Sequence, residues 1–199
     1  MEESFNEKQS LELIAGMINK AKNKFIESGT LYLVWGIAVL ICSLVQFILG
    51  NLLGYKNAHY VWFFTWAVYI YQAIFIFRKK KNLKVKTYTG EIIGYVWISF
   101  IICFFIMLFI LLYSKSFNLI YSSILVLYAI PTFLSGAILK AKALLIGGIC
   151  CWVLACISLF IPLQYHLLLI SLAVVLAWII PGFYLRNKYL NDSNLLPKN

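Results

Sequence analysis

Positive charge in this chain falls almost entirely in alternate gaps between its apolar runs. Six runs are visible: Leu31–Leu49, Val61–Phe77, Ile92–Tyr113, Leu119–Leu139, Ala143–Ile161 and Leu163–Leu185. Lys8, Lys20, Lys22 and Lys24 precede the first run, and only Lys56 follows it. Arg78, Lys79, Lys80, Lys81, Lys84 and Lys86 follow the second, and only Lys115 follows the third. Lys140 and Lys142 follow the fourth, no basic residue follows the fifth, and Arg186, Lys188 and Lys198 close the chain. Odd-numbered segments thus hold 15 of the 17 basic residues. Segments rich in Lys and Arg stay on the cytoplasmic side of a membrane, so the alternation predicts six spans with both ends inside.

Length and composition agree with this reading. A span needs about 20 apolar residues to cross roughly 30 Å of hydrocarbon, and six of them occupy most of the 199 residues. With 63% hydrophobic and 12% charged residues, too little polar chain remains for a separate soluble domain. The expected fold is an all-α integral membrane protein, with six transmembrane helices in three hairpins and an N-terminal amphipathic interfacial helix. The divisions are 1–29 for that helix, 30–189 for the membrane domain and 190–199 for a short cytoplasmic tail. The predicted location is a membrane, with both ends of the chain on its cytoplasmic side.

The net charge of +10 would suggest nucleic acid in a soluble protein. Here Glu2, Glu3, Glu7, Glu12, Glu27, Glu91 and Asp192 all fall on the predicted inner side as well. The excess of basic residues is then topological and favours anionic lipid headgroups, and no nucleic-acid partner is expected. The opening MEESFNEKQS lacks a basic stretch leading into a short apolar one, so Leu31–Leu49 is expected to be an uncleaved first span.

Before that span, Leu11, Ile14, Ile18, Ala21 and Phe25 recur at helical spacing while Lys20, Lys22 and Lys24 fall off the stripe. A helix over about Gln9–Ser28 would lie in the interface with its lysines near phosphates. Gly29 is placed to end it and Thr30 to cap the next helix. Lys-x-Lys pairs precede the first, third and fifth spans, and V34-W35 is echoed by V96-W97, so a duplicated two-helix unit is one reading and shared topology the other. In the fifth span Ala143, Gly147, Cys151 and Ala155 recur every four residues, and the sixth carries Ala173 and Ala177. Small residues let helices approach closely, so these two spans are expected to form a tight antiparallel pair. Tyr60, Trp62, Phe63, Phe64 and Trp66 read as an aromatic belt at the outer end of the second span.

Residues that could carry chemistry are sparse. Cys42, Cys103, Cys150, Cys151 and Cys156 lie inside spans without C-x-x-C spacing or a nearby His, so neither a metal nor a cofactor is expected. No H-E-x-x-H, G-x-S-x-G or acidic dyad is present, and an enzyme is not expected. Glu91 sits at an inner span end near the level of Lys140 and Lys142, where an interfacial ion pair is expected ahead of a coupling-ion site. His59 and His166 fall at the outer boundary and read as solvated imidazoles.

Polar groups within the spans are expected to pack by hydrogen bonding. Gln46 and Gln72 differ in depth by roughly 13 Å, too far to bond. Gln46 or Ser43 with Thr65 matches better. Pro131 removes one helical donor and is expected to kink the fourth span, freeing the carbonyl of Leu127 near Thr132, Ser135 and Gly136. Pro181-Gly182 is expected to break the sixth. Broken helices point to a transport pathway in some membrane proteins, so Pro131, Thr132 and Ser135 form a candidate ligand or kink site. The densest basic segment, Arg78 to Lys86, is a candidate contact for lipid or for an acidic partner.

The fragments S-L-E-L-I-x-x-M-I-x-x-A-K (Ser10–Lys22), L-V-W-G (Leu33–Gly36), V-K-T-Y (Val85–Tyr88), L-S-G-A-I-L-K (Leu134–Lys140) and I-I-P-G (Ile179–Gly182) together resemble an uncharacterised family of small bacterial six-span inner-membrane proteins. The resemblance implies a membrane partner or target of a winged-helix regulatory system, and no substrate or site. The expected role is a non-enzymatic sensory, regulatory or assembly partner working through its basic cytoplasmic face. The alternative is a small permease or lipid-interacting protein using the Pro-kinked fourth and sixth helices, as a homo-oligomer.

Overall fold

The computed structural model describes residues 28–81 and 88–194, and among them the chain is helical with no strand. Helix α1 is Ser28–Phe47, extended by a π-helical turn Ile48–Leu52. A 3-10 turn Ala58–Trp62 leads into α2, Phe63–Lys81. Then come α3, Tyr88–Tyr113, and α4, Ile120–Leu139, followed by the shorter α5, Lys142–Ser158. The last apolar segment is one continuous helix in three parts: α6, His166–Val174, a π-helical stretch Val175–Ile179, and α7, Ile180–Asn194. Five helical segments are long and apolar enough to cross a membrane, and α5 is a shorter apolar helix of 17 residues. Helices suit such sequences because each satisfies its own backbone polar groups where water is absent.

Two long antiparallel seams build the core. Along the first, α1 packs against α6 and α7. A β-carbon on Gly29 would lie 3.2 Å from the Gly182 carbonyl, and one on Gly36 only 3.0 Å from Ile179 Cγ1. Further along, Ser43 Oγ and Ser171 Oγ are 2.7 Å apart, and Asn51 Nδ2 donates to the Gln164 carbonyl at 2.6 Å. These contacts step in opposite directions along the two segments. The start of α1 and the start of α7 therefore lie at one end of the bundle, here the terminal end, and Asn51 and Gln164 lie at the distal end.

The second seam joins α4 to α5. A β-carbon on Gly136 would meet the Leu145 backbone nitrogen at 2.6 Å, and one on Gly148 would meet Phe133 Cβ at 2.8 Å. At the far end Ser122 and Ser158 hydroxyls are 2.7 Å apart. Lys140, with φ of 52°, makes the left-handed turn that folds α5 back on α4. Because these contacts run from Gly136 to Ser122, α5 reaches the same depth as α4 over that stretch despite its length.

Where the seams meet, a β-carbon on Gly147 would lie 2.6 Å from Ala177 Cα. Fully buried Trp178 fills the centre against Tyr128, with ring centroids 4.7 Å apart. Burial separates this core from α2 and α3. None of the most apolar stretch of α2 and 6% of that of α3 is buried, against 50% in the last segment. Gln72 Nε2 donates to the Leu31 carbonyl at 3.0 Å to hold α2, and Trp97 and Phe100 join α3 to Tyr32, Tyr128 and Trp178.

Several expectations are corrected here. Pairing by successive hairpins understates the architecture, because the longest seams are α1 with α6–α7 and α4 with α5. The fifth and last segments do meet closely at Gly147. Gly29 and Thr30 both lie within the described part of α1, so Thr30 does not cap that helix. Pro181 does not break the last segment: the helix widens into a π turn just before it, with Ile180 N–H reaching the Val175 carbonyl, and continues to Asn194. The expected helix over Gln9–Ser28 falls almost wholly outside the described residues.

Candidate functional site

Pro131, Thr132 and Ser135 are all in the packed core. Pro131 gives Leu127 no N–H, and the Thr132 hydroxyl is not bonded to that carbonyl. It donates instead to the Tyr128 carbonyl at 2.7 Å and accepts Trp178 Nε1–H at 2.9 Å. Ser135 makes no well-formed hydrogen bond although the Tyr32 side chain lies beside it. Thr132 is thus committed to holding Trp178 in place. A groove of about 280 Å³ does run past Pro131, lined by Tyr95, Ser99, Cys103, Leu127 and Ile130 among others. It lies between α3 and α4, outside the core, and is almost wholly apolar.

Other polar pairings also differ from expectation. Ser43 bonds Ser171, Gln46 bonds Trp62 and Tyr121, and Thr65 donates to the Trp62 carbonyl at 2.6 Å, so neither Ser43 nor Gln46 pairs with Thr65. Gln46 and Gln72 are indeed apart, Gln72 binding the Leu31 carbonyl.

At the terminal end, Arg78 is exposed and Lys79, Lys80 and Lys81 form the last turn of α2. Lys84 and Lys86 lie outside the described residues. Glu91, in the first turn of α3, is favourably placed against the helix dipole and accepts the Tyr95 hydroxyl at 3.4 Å. Among the described residues it has no ion pair, Lys140 and Lys142 included, and the neighbouring Lys84 and Lys86 lie outside those residues. The described residues also contain no cluster of His, Cys, Asp or Glu able to hold a metal.

The distal end holds a polar network that sequence reasoning did not assemble. Trp62 Nε1–H donates to Gln46 Oε1, and Gln46 Nε2 donates to the Tyr121 hydroxyl at 3.1 Å. Because an indole nitrogen can only donate, the orientation of the Gln46 amide is fixed. Trp62 is therefore turned inward, unlike its exposed neighbours Tyr60, Phe63, Phe64 and Trp66. His166 is buried rather than solvated, its Nε2 2.9 Å from the Ile161 carbonyl, its Nδ1 unpartnered and its ring edge-on to Tyr121. Beside this network opens a vestibule of about 350 Å³, lined by Gln46, Asn51, Lys56, His59, Tyr121 and Gln164 among others. Depth matching could have found it, since Gln46, Tyr121 and His166 all fall near the same end of their runs.

Comparison with protein-family models, curated proteins and solved structures returned no match to this chain.

Proposed function

We propose that the chain is a six-span protein of a bacterial inner membrane with both termini cytoplasmic. Its role is that of a non-enzymatic sensory, regulatory or assembly partner. The first 29 residues form an amphipathic interfacial helix, and Arg78, Lys79, Lys80, Lys81, Lys84 and Lys86 form the docking surface for anionic headgroups and an acidic cytosolic partner.

One observation carries the choice of docking over transport. Apart from Ser135, the buried serine and threonine hydroxyls among the described residues hold helices to one another: Ser43 with Ser171, Ser122 with Ser158, and Thr132 with Trp178. Fully buried Trp178 is bonded to Thr132, the residue next to Pro131. A transport route needs polar groups or water at that depth. The basic segment instead begins with the exposed Arg78 at the terminal end of α2, one of the two least buried helices.

The test is co-purification of the full chain from native membranes in mild detergent. The fourfold variant Arg78→Gln, Lys79→Gln, Lys80→Gln, Lys81→Gln is expected to lose an acidic cytosolic protein that the wild type retains. An unchanged set of companions would overturn the docking role.

A further inference from the structure

The distal vestibule has a chemistry that the docking role does not use. Its lining offers hydrogen-bond donors and one cation, with no carboxylate. No Asp or Glu occurs between residues 28 and 90 or between 92 and 191, so the vestibule lining carries no acid. Lys56 is exposed on the vestibule wall and has no ion-pair partner among the described residues.

The buried network sets the direction of the remaining donors. Trp62 fixes the Gln46 amide, Gln46 donates to the Tyr121 oxygen, and the Tyr121 proton has no acceptor among the described residues. A chain of hydrogen bonds running one way polarises its members, so the Tyr121 O–H at its end is a strengthened donor. Asn51 ties the distal end of α1 to the Gln164 backbone, and both residues line the vestibule. A lysine, an oriented phenol and amide-bearing residues thus share the lining of an open, otherwise largely apolar vestibule of about 350 Å³.

We propose that this vestibule binds the phosphate oxyanion of a small molecule or lipid headgroup, with the Lys56 ammonium supplying charge and the Tyr121 hydroxyl supplying a directed hydrogen bond. Charge-assisted hydrogen bonds of this kind are the stronger class in proteins. The site lies at the opposite end of the bundle from the basic segment, and its occupancy does not depend on the docking role.

The test uses the full chain in detergent. Native mass spectrometry follows binding of phosphatidylglycerol, with diacylglycerol of the same acyl chains as the phosphate-free control, and calorimetry follows inorganic phosphate. Lys56→Gln is expected to weaken binding about tenfold and Tyr121→Phe about fivefold. Lys115→Asn, which changes the other distal lysine, leaves binding within about twofold of wild type. Thermal unfolding verifies that each variant is folded. Lys56→Gln alters only an exposed side chain, so it keeps the test decisive if Tyr121→Phe disturbs Gln46. Lys56-dependent binding of phosphatidylglycerol but not diacylglycerol identifies a lipid headgroup. Lys56-dependent binding of inorganic phosphate without lipid identifies a soluble oxyanion. Binding of neither probe, or binding indifferent to both Lys56 and Tyr121, overturns the proposal.

Discussion

The four segments α1, α4, α5 and α6–α7 and the pair α2 and α3 have similar hydrophobicity to the eye but are held in different ways. In the first group glycines let backbones meet: a β-carbon at Gly136 or Gly147 would lie 2.6 Å from backbone atoms of the neighbouring helix. Short hydroxyl pairs add direction at Ser43–Ser171 and Ser122–Ser158. In the second group contact is made by large rings and one glutamine, and a β-carbon at Gly94 of α3 would meet nothing within 4 Å. Lipid tails are as apolar as leucine, so burying apolar area gives helices little reason to associate in a bilayer. Close backbone approach and hydrogen bonds do that, and only the first group has both. Arg78, the first residue of the basic segment, is exposed near the end of this thinly held α2.

Substitutions can break or sharpen this contrast. The largest effect is expected from Gly147→Leu, whose side chain would have to occupy the space of Ala177; a loss of about 3 kcal/mol or more would show as aggregation or a collapsed Tm in detergent. Trp178→Phe removes the indole N–H that Thr132 accepts and leaves unfilled volume at the centre. A cost of about 2 kcal/mol should appear as a lower thermal unfolding midpoint by near-ultraviolet circular dichroism. Ser43→Ala breaks one interhelical hydroxyl bond and should cost about 0.6 kcal/mol by the same measurement. Gly94→Ala sits at the small end: open space around it predicts a change within about 0.5 kcal/mol, or a slight gain from helix propensity. A Gly94→Ala effect as large as that of Gly147→Leu would erase the distinction between the two groups.

Much of this was legible in the sequence because apolar run length and small-residue spacing report directly on helices and their close contacts. Gly147 and Ala177 stand out at helical spacing, and they do meet. The seam of α1 with the last segment was harder to see. Its members, Gly29, Gly36, Ser43 and Asn51, look ordinary until their partners some 110 to 150 residues away are known, and no local pattern encodes that pairing. Pro181 misled for a physical reason: a π turn absorbs the missing donor without ending the helix. At the sites, Thr132 was legible as a residue and illegible as a role, since its acceptor capacity is used by an indole 46 positions on. The distal network escaped because its members come from α1, the turn before α2, and α4: Gln46 reads as a partner for Thr65 and Trp62 as part of an aromatic belt.

The central claim is that the bundle crosses the membrane six times, so that its basic end and its vestibule face opposite sides. It turns on α5, the short helix. Single cysteines introduced at Lys56, Lys142 and Phe160 in a background with the native cysteines changed to Ala can be labelled with a membrane-impermeant maleimide in intact cells and in inverted vesicles. Six crossings predict labelling of positions 56 and 160 from outside and of position 142 from inside. Labelling of positions 142 and 160 from the same side would contradict it.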